Sequence, residues 1–186
     1  NNLDFIKNNL EKDINSGRII LTNLNKENID RQYYSDLFTS KEFWDQIDGE
    51  HILIFQTDSC LCSNSKHPIE YYLEYGYVGG PLKPSDDDDS IVYQNGGFSL
   101  RRKSAMLKAI ETKKPNENTW PCDKWYSSKK KDIVKPAPYN VAKEFAVERV
   151  LTDRPYGVHK PWHFLKKDEL DKLRKDCPEI KTIFNK

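Results

Sequence analysis

The sequence predicts an α/β domain, a mixed sheet flanked by helices, and three observations predict it. Short apolar runs at Ile19–Leu21, His51–Phe55 and Tyr77–Val78 have the length and branching of strands. Between them lie longer segments whose apolar residues recur at helical spacing, and strands alternating with helices assemble into an α/β sheet. The 186 residues fit one domain of ordinary size, and an aromatic content of 12% supplies core material to a chain that is 32% charged.

In chain order, Leu3, Ile6, Leu10 and Ile14 share one helical face over 3–14, and Gly17 follows as a stop. Ile19-Ile20-Leu21 reads as a short buried strand. Residues 30–47, with Tyr33, Tyr34, Leu37, Phe38, Phe43, Trp44 and Ile47, read as one or two helices. His51–Phe55 is apolar without alternation, which predicts a central parallel strand buried on both faces. A helix is expected over 68–75 with Pro68 at its first position. Tyr77-Val78 is a strand stopped by Gly79-Gly80-Pro81, and residues 83–90, containing Asp86–Asp89, form a polar mobile loop. Asn95-Gly96-Gly97 reads as a turn leading into strand Phe98-Ser99-Leu100. Helices are expected over 104–110, 123–131, 141–147 and 168–175, with breaks at Pro115, Pro121 and Pro155-Tyr156-Gly157.

The bulk numbers exclude some functions. Thirty basic against 29 acidic residues leave a net charge of +1, which argues against nucleic-acid binding driven by electrostatics. No stretch approaches the roughly 18 apolar residues of a membrane span. The chain starts Asn1-Asn2 rather than Met, which leaves open a leader or anchor upstream. The cysteines Cys60, Cys62, Cys122 and Cys177 contain no C-x-x-C pair, so a zinc ribbon is not expected. Cys60 and Cys62 are too close in sequence to bridge each other comfortably, and free thiols in a reducing, cytoplasmic compartment are the expectation.

Asp58 is the first candidate for chemistry. It follows the apolar run as Gln56-Thr57-Asp58-Ser59, and ligands of open α/β sheets bind beyond the carboxyl ends of strands. Carboxylate oxygens there suit magnesium or manganese. By itself, an acid at this place is more often a turn-capping residue. The second candidate is Asn95-Gly96-Gly97-Phe98-Ser99-Leu100-Arg101-Arg102, whose paired glycines would let a backbone approach a ligand closely; an ordinary hairpin turn is the plainer reading.

Four segments in order, Q-T-D-S (56–59), N-G-G-F-S-L-R-R (95–102), A-P-Y-N-V-A-K-E-F-A-V-E (137–148) and G-V-H-K-P-W (157–162), resemble a family of glycosyltransferase-like proteins with the GT-A fold, some of them in giant viruses. The likeness runs from about residue 18 to about residue 165. It implies a metal-dependent transferase that moves a sugar from a nucleotide-sugar donor, of the UDP type, to a hydroxyl on a glycan or protein acceptor with inversion at the anomeric carbon, and with manganese or magnesium as the cofactor. It also implies a host-cell or virion-associated setting if the chain is viral.

Residue by residue, Asp58 matches the last acid of the family's D-x-D signature, and Gln56 stands where its first acid would be. His159 matches the histidine that completes the metal site. Asp123 falls at the family's E-D pair and would be the base that takes the acceptor proton, with Cys122 in place of the Glu. Gln56, Thr57, Asn95, Gly96, Gly97 and Trp162 would line the donor and sugar sites. Arg101 is either structural or phosphate-facing. Plainer readings stand beside these: a helix-start acid for Asp123, a packed core histidine for His159, and core filling for Trp162. The family begins earlier than this chain does, so the resemblance implies that part of the N-terminal nucleotide-binding unit is missing or supplied by a partner. The departures at Gln56 and Cys122 also suit a second reading, a catalytically degenerate module that binds carbohydrate or nucleotide. A phosphoryl or nucleotidyl transferase is disfavoured by the lack of a P-loop.

Overall fold

The computed structural model describes residues 2–184. The chain divides into two compact units, Asn1–Asp30 and Arg31–Lys186.

In the first unit, helix α1 (Asn2–Asn15) is kinked at Leu10, whose φ and ψ are −123° and 22°. It ends where expected, because Gly17 takes a φ of +74° and its N–H reaches back to the Ile14 carbonyl. The strand expected at Ile19–Leu21 does not form. No other segment pairs with it among the described residues, and Ile20 is 83% exposed. An apolar triplet without a partner backbone has nothing to make it a strand.

The second unit is mixed α/β, with two small three-stranded sheets flanked by helices. Helices α2 (Arg31–Phe38) and α3 (Lys41–Asp45) come first; Ser40 caps α3 by accepting the Phe43 N–H. Strands β1 (His51–Phe55), β2 (Ser59–Leu61), β3 (Tyr77–Pro81) and β4 (Gln94–Arg102) follow, then α4 (Lys103–Glu111). Beyond it lie α5 (Cys122–Lys124), a π-helical turn at Trp125–Lys129, α6 (Lys131–Val134), α7 (Tyr139–Phe145), β5 (Ala146–Val147), β6 (Gly157–His159), α8 (Lys167–Asp176) and α9 (Ile180–Ile183).

The first sheet has the order β1-β4-β3 and is antiparallel throughout. This corrects the reading of His51–Phe55 as a central parallel strand. It is an edge strand, with Phe55 69% exposed. Its unbroken apolar run arises because Ile52 and Ile54 pack against one core cluster and Leu53 against another. The centre is β4, buried along almost its whole length. Asn95-Gly96-Gly97 is therefore strand rather than turn. The pairing of β3 with β4 shifts between Gly79 and Pro81, so β4 bulges opposite Gly80. Two further corrections concern helix ends. Only Ile69–Tyr72 of the 68–75 segment is helical, as a 3-10 turn, and the helix expected over 141–147 stops at Phe145 so that Ala146-Val147 can join a sheet.

The second sheet has the order β2-β6-β5, with β6 antiparallel to β2 and parallel to β5. It packs on a core of Val147, Val158, Leu165, Leu173 and Ile180, and beneath it Cys62 and Cys177 form a disulfide across 115 residues of sequence. The expectation of free thiols holds for Cys60 and Cys122 only. The disulfide is characteristic of a non-reducing environment, contrary to the reducing compartment inferred from cysteine spacing. No helix among the described residues is long and apolar enough to cross a membrane.

Candidate functional site

The site is assembled at one end of the small sheet. Asp58 occupies the turn between β1 and β2, which is closed by the Ser59 N–H donating to the Gln56 carbonyl at 3.0 Å. The Gln56 N–H donates to the Gly97 carbonyl at 2.8 Å, tying this turn to the bulge in β4. His159 ends β6 directly opposite Ser59, and the Lys160 N–H donates to the Asp58 carbonyl at 2.9 Å. Glu148 follows β5, whose Val147 pairs with Val158 of β6. Three paired strand ends thus deliver Asp58, His159 and Glu148 to one place.

Their side chains meet around the imidazole. His159 Nε2 lies 3.3 Å from Asp58 Oδ1 and 3.1 Å from Gln56 Oε1, while His159 Nδ1 lies 3.5 Å from Glu148 Oε2. His159 and Glu148 are almost fully buried, whereas the Asp58 side chain is 37% exposed. Asp58 Oδ1, Glu148 Oε2 and His159 Nδ1 are all buried atoms without a hydrogen-bond partner. Asp58 is therefore not capping its turn through Oδ1. Two carboxylate oxygens, buried and without a hydrogen bond, flank one imidazole, and such a group is stabilised by positive charge, whether on a protonated ring or on a bound cation.

A divalent cation would supply that charge. Asp58 Oδ1, Gln56 Oε1 and His159 Nε2 are the donors that would hold it, and Glu148 would accept the Nδ1–H from behind, as the outer-shell carboxylate that commonly orients a metal-binding histidine. Among the described residues no group of three or more His, Cys, Asp and Glu is placed to hold a metal. The donor set is two such residues and an amide oxygen, a number that suits an ion shared with ligand phosphates.

Consecutive glycines of the bulge make room for the site. A Cβ on Gly97 would fall inside the His159 ring, and one on Gly96 would lie 3.0 Å from Asp123 Cβ. Neighbouring residues of β4 therefore bear on the histidine and on the candidate base. Asp123 Oδ1 accepts the Tyr93 hydroxyl at 2.9 Å and the Lys124 N–H at 2.8 Å. Burial raises its carboxyl above the ordinary range, these two bonds and the Arg101 charge work against that, and the Glu148 carboxylate adds to it.

The remaining predicted residues are placed as follows. Thr57 is exposed at the tip of the turn. Asn95 is buried and its amide is used inside the bulge, donating to the Gly80 carbonyl and accepting the Phe98 N–H. Trp162 is half-buried and stacks on Phe184, with centroids 4.6 Å apart. Arg101 is fully buried in the core, its guanidinium 4.8 Å from the Phe38 ring and 5.1 Å from the Tyr77 ring, and it donates to the Ser99 hydroxyl and the Gly96 carbonyl. Glu148 and Tyr93 were missed in the sequence. Glu148 closes the A-K-E-F-A-V-E segment, where an acid after an apolar pair beside a strand was the available signal; Tyr93 offered none.

Comparison with known proteins adds one match. Residues 18–159 match the model of a family described as a protein of unknown function (DUF5672). No curated protein and no solved structure gives a match.

Proposed function

The chain belongs to that family of unknown function, and from the geometry of its own residues we propose that it is a metal-dependent glycosyltransferase of GT-A type. The observation that carries the reading is the pair of buried carboxylate oxygens without a hydrogen bond, Asp58 Oδ1 and Glu148 Oε2, on the two sides of His159. The resemblance of the four ordered motifs supports it, as does the packing of Asp123 against Gly96, next to the Gly97 against which His159 packs.

In this reading Asp58, His159 and the Gln56 amide oxygen hold manganese or magnesium. When bound, the ion supplies Lewis-acid stabilisation of the donor's diphosphate. Asp123 takes the proton of the acceptor hydroxyl, whose oxygen bonds to the anomeric carbon as the bond from that carbon to the phosphate oxygen breaks. The electron pair leaves with the nucleoside diphosphate. Burial suits Asp123 to this task, because a carboxylate of raised pKa is a stronger base once ionised. The two hydrogen bonds on Oδ1 fix its orientation. Glu148 holds the imidazole.

The test is nucleoside diphosphate release from a panel of nucleotide sugars, with and without manganese. Turnover that needs manganese and falls at least a hundredfold in both Asp58→Ala and Asp123→Ala is the expected result. Parent-like rates in both variants would overturn the assignment. Manganese-dependent binding of donor with no release would instead favour a binding module, the reading to which Gln56 and Cys122 point.

A further inference from the structure

The function proposed above leaves the acceptor unassigned, and the wall beside Asp123 narrows its chemistry. Here the surface opens into a cavity of about 520 Å³ lined by Leu82, Lys83, Val92, Tyr93, Lys124 and Arg149 among others. That is the size of pockets that take small-molecule ligands. It is coupled to the site at three points: Tyr93 donates its hydroxyl to Asp123, Lys124 follows Asp123 in the chain, and Arg149 follows Glu148.

The charge of the cavity is one-sided. Its lining holds three cations and no carboxylate. None of the three forms an ion pair among the described residues, and the Arg149 guanidinium is instead over the Phe164 ring at 4.2 Å. Of the acidic loop nearby, Asp88 is paired with Lys143. Three exposed cations that line one cavity without ion-pair partners favour an anion there, with Arg able to grip phosphate or carboxylate through two N–H groups. Leu82, Val92 and the Tyr93 ring add the apolar surface on which a sugar ring can lie.

We propose that this cavity is the acceptor subsite and that the acceptor is an anionic sugar whose phosphate or carboxylate is held by Lys83, Lys124 and Arg149. The inference rests on reading Asp123 as the base: an acceptor anchored here presents its hydroxyl beside Asp123.

Calorimetric titration tests it, using glucose 6-phosphate, glucuronate and neutral glucose as acceptor probes and UDP with manganese as the donor-side probe. Parent protein is expected to bind one of the two anionic sugars at least tenfold more tightly than glucose, and the preferred one identifies the anion. The triple variant K83A/K124A/R149A is expected to lose that preference with UDP–manganese binding unchanged; all three side chains are on exposed residues, and an unaltered melting temperature checks the fold. Absence of any preference in the parent overturns the proposal, as does a variant that keeps it. Loss of UDP–manganese binding together with the anionic sugar also overturns it, by assigning the cations to the donor's diphosphate. A parent that binds no UDP–manganese, yet binds anionic sugar through these three residues, sinks the donor reading and leaves the anion site standing.

Discussion

The imidazole of His159 occupies the space in which a side chain on Gly97 would stand. The ring can face both Asp58 and Glu148 only because β4 lacks a Cβ at that point. Gly97→Ala should therefore push the ring away, destabilise the fold by about 1–3 kcal/mol through overpacking, and weaken manganese binding. Thermal denaturation and manganese titration read the two effects separately; unchanged manganese affinity would mean that the ring position does not govern it.

Glu148→Gln removes the charge behind His159 while nearly preserving shape. Loss of an outer-shell carboxylate typically weakens metal affinity by about 10- to 100-fold. The same change removes one of the causes that raise the Asp123 carboxyl. Manganese affinity should fall, and the acidic limb of the rate profile should move to lower pH, a displacement that a purely structural role for Glu148 would not produce.

Asp123 should trade stability for activity. Its folded pKa is raised by burial, so the folded state binds its proton more readily than the unfolded chain does. Above the folded pKa the ionised carboxylate is a net cost, and the cost disappears as pH falls through that value toward the ordinary carboxylate range. Activity runs the opposite way, because the base works only when ionised. Asp123→Asn should raise the melting temperature at neutral pH while abolishing transfer. A lowered melting temperature would show that the carboxylate is stabilising, contrary to its burial.

The Cys62–Cys177 disulfide closes a long loop beneath the small sheet. Reduction, or Cys177→Ser, should cost roughly 2–4 kcal/mol, read as a lowered denaturant midpoint. Because β2 leads from Asp58 directly to Cys62, manganese binding should weaken with it. Identical midpoints with and without reductant would contradict this.

The elements most legible in the sequence were those whose pattern is local. The stop at Gly17 and the helices expected over 104–110 and 168–175 rest on nearby turn residues and periodicity; the strand at Tyr77-Val78 forms too, but it runs on through the Gly79-Gly80-Pro81 expected to stop it. Pairing was not legible. An apolar run buried on two sides reads the same whether it lies at the centre of a parallel sheet or at the edge of an antiparallel one, as His51–Phe55 does. Gly-Gly reads as a turn unless one knows that His159, far along the chain, needs the space. Of the site, Asp58, His159, Gln56 and Gly97 come together as one cluster and Asp123 meets the adjacent Gly96. Glu148 carried only the signal of an acid after an apolar pair, and Tyr93 meets Asp123 through a tertiary contact that no spacing rule reports.

The small sheet has a consequence for how this chemistry can change over time. Asp58, Glu148 and His159 are each the first or last residue beyond, or at the end of, a paired strand, so backbone ladders hold their places and their side chains can be exchanged one at a time. Such an arrangement works as a fixed rack with replaceable fittings. Gln56 is one such fitting: its side chain meets His159 Nε2 at 3.1 Å, while its backbone N–H is held by the Gly97 carbonyl whatever side chain it carries. On such a frame one side chain of the cluster can be exchanged while the strand pairing that places it stays intact.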